Sequence, residues 1–263
     1  MRILVTNDDG IFAEGLECLV EALAQLGEII VVAPDREQSA SSHSLTINRP
    51  LRLRRLSEHR YTVDGTPTDC VNLAVQGLLK ESPPDLVVSG INYGLNLGGD
   101  VTYSGTVSAA FEASLHHLPG IAFSQDVAQE ASFPAAAEMA REIVAALTLG
   151  GVPDELLLNV NFPVDRPRGI QWTRLGKRTY SQTVVEKLDP KGRKYYWIAG
   201  KANWQKESGT DYHAVKSGYA SVTPLHLDLT DYAELEGSSD LLGRLEGIEL
   251  VKPAGSPAED VSA

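Results

Sequence analysis

The chain predicts an α/β protein: a mostly parallel sheet flanked by helices, with an antiparallel hairpin extension. Three observations carry that expectation. Short apolar runs at 3–5, 28–33, 85–90, 120–124 and 156–162 read as buried strands. Stretches with helical spacing separate most of them. The opening strand-helix-strand order implies a right-handed crossover, and hence parallel neighbours.

Residues 2–7 form the first expected strand, ending in Asn7, Asp8, Asp9 and Gly10, which suit a tight turn. A helix follows over 14–26, where Leu16, Leu19, Val20 and Leu23 recur at helical spacing, with Gly27 as its C-cap. Residues 28–33 make the second strand, closed by Pro34-Asp35-Arg36. The polar stretch 35–49 lies beyond a strand's carboxyl end, where functional side chains collect; a solvated surface loop is the plain alternative. Runs at 50–55 and 60–64 read as a hairpin, and Thr66 then caps a helix over 67–80 that opens on Pro67. The strand at 85–90 precedes a glycine-rich loop and a helix from Ser104 to about His117. The strand at 120–124, a helix over 133–149 and the strand at 156–162, closed by Pro163, complete the first part.

Composition changes after residue 165. All three tryptophans, many basic residues and alternating apolar patterns fall within 166–205, which reads as an antiparallel arm with a turn at 190–192. An aromatic-bearing arm outside a core suits a subunit contact, and a patch folded on its own subunit is the alternative. A short helix at 209–218 capped by Thr210, a returning strand at 219–225 and a frayed tail at 253–263 follow. The expected division is therefore a core of 1–165 and a C-terminal extension of 166–263.

The net charge of −12 disfavours binding to nucleic-acid polymers or anionic membranes. It leaves room for a small anionic substrate, since helix N-termini and metals supply local positive potential. No signal-peptide pattern or membrane-length apolar run is apparent, so a cytoplasmic protein is expected. Cys18 and Cys70 sit in predicted helices without metal-ligand spacing and read as buried free thiols. There is no G-x-x-x-x-G-K-[ST] phosphate loop, no G-x-G-x-x-G after the first strand and no G-x-S-x-G elbow.

What remains is a set of oxygen donors on three loops. Adjacent carboxylates at Asp8 and Asp9 suit a hard cation such as Mg²⁺ or Mn²⁺, although an ordinary helix-capping turn uses the same residues. Ser39 and Asn92 offer neutral oxygens, Ser39 being equally readable as a loop cap. Asn96 lies farther along the loop that carries Asn92. If the strands at 2–7, 28–33 and 85–90 are neighbours, these loops meet at one sheet edge. Ser104, Gly105 and Thr106 open a helix, and such an end is either an anion site or an ordinary Ser cap. His43 suits a proton donor to a leaving alkoxide or a brace for its loop. His116 and His117 fit a helix C-terminus by charge–dipole interaction. A metal beside an anion cradle is what phosphoryl transfer to water requires. Asp8 leads as metal ligand and catalytic carboxylate. Consecutive strand residues point to opposite faces, so both aspartates face one ion only if the chain bends at Asn7–Gly10, and Asp9 is otherwise the less direct ligand.

Several blocks resemble the SurE (survival protein E) family of metal-dependent nucleotidases. They include Asn7-Asp8-Asp9-Gly10, 33–39, 42–46, Gly65-Thr66-Pro67, 89–96 and Tyr103-Ser104-Gly105-Thr106-Val107. Farther on come 159–163, Thr210-Asp211 and 221–225, in the same order along the chain. The resemblance implies a Rossmann-like core, an exchanged arm or C-terminal segment, and a homodimer or homotetramer. It also implies hydrolysis of nucleoside monophosphates, extending to 3′-nucleotides or short polyphosphate, with one Mn²⁺ or Mg²⁺ per subunit. Asp8, Asp9, Ser39 and Asn92 would bind the metal, and Asn96, Ser104, Gly105 and Thr106 the phosphate. Ala40 and Ser108 depart from the family pattern, where glycine is usual at both. Two rival readings are a haloacid-dehalogenase-type phosphatase and a non-enzymatic nucleotide sensor. The first wants one residue between its two aspartates, and here they are adjacent.

Overall fold

A nine-stranded sheet runs through the computed structural model, which describes residues 1–127, 132–181, 184–198 and 201–235. The expected frayed tail at 253–263 lies outside the described residues. Residues 1–227 form one compact unit and residues 228–263 a second, of which the short helix Tyr232–Leu235 is described.

Within the first unit the strands are β1 (Arg2–Thr6), β2 (Glu28–Pro34), β3 (Leu53–Ser57), β4 (Arg60–Val63), β5 (Leu86–Tyr93), β6 (Gly120–Gln125) and β7 (Leu157–Phe162). They continue as β8 (Ile170–Trp172), β9 (Arg178–Ser181), β10 (Val184–Leu188), β11 (Lys194–Ile198), β12 (Lys201–Trp204) and β13 (Ala220–Pro224). The helices are α1 (Glu14–Leu23), α2 (Pro67–Leu73), α3 (Gly105–Leu115), α4 (Pro134–Leu147) and α5 (Asp211–Lys216). The sheet order is β3-β4-β2-β1-β5-β6-β7-β13-β8. From β4 to β7 every neighbour is parallel, while β3 and β13 pair antiparallel to β4 and β7. The sheet thus draws strands from both sides of the expected 165/166 division.

Period-two alternation assigns each strand residue to a layer. Ile3 and Val5 of β1 face α1 and α4, in a core with Leu16, Leu19, Ile143 and the stacked rings of Phe123 and Phe162. Leu4 faces the other way, toward α2 and α3, with Val71, Ala74, Ala109 and Ala113. Helices therefore cover both faces, which explains why the strands read as continuous apolar runs.

Several local expectations change. α1 ends at Leu23 with Ala24 as its cap, so Gly27 is not the cap. Gly27 instead allows close approach, because a Cβ there would lie 2.0 Å from the Met1 carbonyl oxygen. The expected helix at 67–80 is α2 followed by a π-helical turn over Ala74–Leu78. Thr66 does cap α2, in a reciprocal capping box with Asp69. β5 runs on to Tyr93, so Asn92 lies within the strand rather than beyond it. The register shift against β6 falls between Ser89 and Asn92, where Gly90 has φ +128°. That irregularity lets the strand continue past the point where its apolar run stops. Cys70 is buried, whereas Cys18 is only half-buried. The arm contains two antiparallel pairs, β10–β11 and β9–β12. All residues of β10 and β11 are exposed, with the Trp197 and Ile198 side chains among them. Among the described residues no helix is long and apolar enough to cross a membrane.

Gly15 is where α1 meets β5, and a Cβ there would stand 2.1 Å from the Ile91 carbonyl oxygen. Backbone cannot swing aside as a side-chain tip can. Gly15→Ala should therefore destabilise by about 1–3 kcal/mol through overpacking. Thermal unfolding should show a Tm lower by roughly 3–10 °C; an unchanged Tm would contradict this packing.

Candidate functional site

β2, β1 and β5 lie side by side and parallel, so their carboxyl ends open onto one edge. The chain winds outward from β1 toward β2 in one direction and, from β5, toward β6 in the other. Such a reversal leaves a crevice where open α/β sheets bind ligands.

The turn after β1 is built by its own residues. Asn7 Nδ2 donates to the Gly10 carbonyl at 2.9 Å, and Gly10 has φ +101°, a conformation glycine adopts freely. A Cβ at Gly10 would also stand 3.2 Å from the Arg36 carbonyl carbon. The loop after β2 docks on this turn, with the Gln38 amide donating to the Asp8 carbonyl at 2.7 Å.

The two carboxylates, in the bend beyond β1, take different partners. Asp8 turns toward the start of α3, where the Thr106 hydroxyl donates to its Oδ1. A Cβ on Gly105 would lie 3.0 Å from Asp8 Oδ2 and 2.7 Å from Ser41 Oγ, so only glycine lets the helix start approach this closely. Asp9 accepts from the Tyr93 amide at 2.9 Å. Ser104 caps α3 by accepting from the Val107 amide at 3.1 Å, leaving the helix dipole pointed at Asp8.

The remaining expected residues are distributed around this centre. Asn92 donates from Nδ2 to the Gly94 carbonyl at 2.8 Å, which orients its side-chain oxygen. Ser39 is exposed on the loop after β2 and donates to Glu37 at 2.6 Å. Asn96 is pinned inward: its Nδ2 donates to Ser124 at 2.8 Å and its carbonyl accepts from Asn159 and Asn161 at 2.8 and 3.0 Å. His43 Nε2 pairs with Glu112 at 2.8 Å, and its ring packs edge-on against Phe111. That contact lies two turns along α3 from Gly105.

Sequence reasoning missed Glu112 and Glu37. Glu112 is buried and gathers His43, Asn72 at 2.8 Å and His116 at 3.3 Å. His116 thus belongs to this cluster as well as to the helix end. The readable signal was a single carboxylate among the small residues of α3. Burial works to raise the Glu112 carboxyl, but the His43 and Asn72 hydrogen bonds and the two histidine charges outweigh it and hold it low. Glu37 shows its effect through charge, since it pushes Asp9 upward.

The electrostatics leave both carboxyls short of positive charge. Burial raises the Asp8 carboxyl from its ordinary value to about 6, with the neighbouring Asp9 charge adding to the effect and the Thr106 hydrogen bonds opposing it. Asp9 is raised as well, first by burial and then by Glu37, against the Tyr93 amide. None of the groups acting on either carboxyl is a cation. Buried anions of this kind are neutralised by protons, paired or bound to metal. Among the described residues no three His, Cys, Asp or Glu side chains converge as a ligand set. A metal here would need the neutral oxygens of Asn92 and Ser39 beside the aspartates, a hard donor set suited to Mg²⁺ or Mn²⁺.

The profile of the family described as Survival protein SurE matches residues 3–182. The "5′-nucleotidase SurE" of Syntrophotalea carbinolica is 52% identical over 239 residues, covering 90% of this chain and 95% of that protein. The "5′-nucleotidase SurE 1" of Thermus thermophilus is 51% identical over 255 residues, covering 94% and 99%. The crystal structure of the SurE protein from Aquifex aeolicus superposes with a TM-score of 0.82 at 47% identity, covering 92% of this chain and all of that one.

The Asp8 shift has a stability consequence. A carboxyl raised on folding favours the native state below its unfolded pKa and loses that contribution as pH rises through about 6. In metal-stripped protein Asp8→Asn should therefore match wild type near pH 4 and exceed it at pH 8. The excess is on the order of 3 kcal/mol. Denaturant melts at both pH values check this, and a variant less stable than wild type at pH 8 would contradict it.

Proposed function

The chain belongs to the Survival protein SurE family, and on that footing we propose that it is a divalent-metal-dependent 5′-nucleotidase, a phosphoric monoester hydrolase releasing phosphate from nucleoside monophosphates. The observation that carries this reading is a buried Asp8 carboxylate, with no cation among the groups acting on it, set against the N-terminus of α3. One side of that crevice suits a cation and the other an anion, which is the pairing a phosphate monoester requires.

In this reading Asp8, Asp9, Asn92 and Ser39 hold one Mn²⁺ or Mg²⁺. The bound ion supplies Lewis acidity toward a phosphoryl oxygen. The start of α3, at Gly105 and Thr106, would hold phosphoryl oxygens through the Gly105 amide and the helix dipole, with the Thr106 amide shared with Asp8, and Ser104 fixes that helix end. Asn96 supports the cradle by anchoring its loop to β6 and β7 rather than through its engaged amide. Asp8 orients the attacking water in line with the departing alkoxide. The contacts of His43 favour the brace over the proton donor, because Glu112 engages Nε2. The cradle addresses the phosphoryl group and not the ester, which admits 3′-nucleotides and short polyphosphate as further substrates. The exposed β10–β11 hairpin is the proposed contact in a homodimer or homotetramer, its aromatic side chains being the kind enriched at interfaces. A cytoplasmic location completes the proposal.

Phosphate release from AMP should cease in EDTA and return with Mn²⁺ or Mg²⁺; full activity in EDTA would contradict the reading. Gly105→Ala displaces the helix start from Asp8. It should lower kcat/KM by about 10²-fold while the far-UV spectrum is unchanged. Activity within a few-fold of wild type would remove Gly105 from the cradle.

A further inference from the structure

The cradle accounts for the phosphate of a nucleotide and leaves its base unplaced. Two tyrosines stand at the mouth of the same crevice with their rings in solvent. Tyr93 and Tyr103 are each 64% exposed. Their backbones are tied into the site. The Tyr93 amide donates to Asp9 at 2.9 Å, and Tyr93 directly follows Asn92. The Tyr103 carbonyl accepts from the Ser42 amide at 3.1 Å, its own amide donates to Asp100 at 2.9 Å, and Tyr103 directly precedes the α3 cap Ser104. One ring is thus rooted on the carboxylate side of the crevice and the other on the anion side. Tyr93 is further steadied by Phe133, whose ring centroid lies 6.5 Å away at a tilt of 53°.

We propose that Tyr93 and Tyr103 form the platform on which the substrate's nucleobase stacks. The inference rests on the nucleotidase reading and names the part of the substrate it leaves unrecognised. A base lies one ribose beyond the phosphorus, and these exposed rings are rooted on the residues next to Asn92 and Ser104. Stacking on tyrosine uses the π-face that purines and pyrimidines share. The platform therefore selects nucleotides over simple sugar phosphates and ranks bases by stacking area more than by hydrogen-bonding pattern.

The test compares AMP with ribose 5-phosphate, which carries the same phosphate and sugar but no base. In the Tyr93→Ser/Tyr103→Ser double variant, KM for AMP should rise at least about 5-fold, the lower end of what loss of base–aromatic stacking produces. KM for ribose 5-phosphate and inhibition by inorganic phosphate should stay within about twofold of wild type, and Tyr93→Phe/Tyr103→Phe should retain the wild-type KM for AMP. An AMP KM that does not move, or one that moves equally with that for ribose 5-phosphate, would overturn the platform. A wild-type enzyme that hydrolyses neither compound would overturn the nucleotidase reading itself.

Discussion

Asp8 is the constraint on which the rest of the structure turns. A carboxylate at the end of a central strand is shielded from water, flanked by a second acid and left without a cationic partner. The fold supplies three partial compensations: the Thr106 hydroxyl, the backbone amide at the start of α3, and the dipole of that helix. They lower the carboxyl only partway, since it still stands at about 6. A carboxylate so placed suits a bound cation, and that property belongs to the architecture rather than to one residue.

The surrounding elements serve this geometry. Glycine at 105 brings a helix start against the carboxylate, and glycine at 10 lets the chain reverse beneath the loop after β2. Glycine at 15 packs α1 against the Ile91 backbone, next to Asn92. The loop after β2 is stitched down along its length, from Gln38 on Asp8, through Ser42 on Tyr103 and His43 on Glu112, to Thr46 on Asp69. These bonds hold a polar segment in one conformation over the crevice. The proposed phosphate site, built on backbone amides, needs that order, because its donors cannot adjust as side chains do.

Much of this was legible in the sequence. Apolar runs and helical spacing marked the parallel core, since strands covered on both faces need no polar alternation. Asn7-Asp8-Asp9-Gly10 and Ser104-Gly105-Thr106 were readable as a turn and a helix start because short polar residues and glycine have few other uses there. Tertiary effects were not legible. The extension of β5 through Asn92 depends on an irregular register at Gly90 that no local propensity records. Gly27 looked like a cap and is a close-contact residue, a distinction only the position of Met1 decides. Glu112 became visible as a hub only when α2, α3 and the loop after β2 were brought together. The inward anchoring of Asn96 likewise depends on β6 and β7, far along the chain.

The most direct measurement is calorimetric titration of Mn²⁺ into metal-stripped wild-type protein and Asp8→Asn at pH 7.5. The account predicts one ion per chain in the wild type and loss of measurable binding in the variant, whose neutral amide removes the uncompensated charge that draws the ion. Equal affinity and stoichiometry in the two proteins would contradict it.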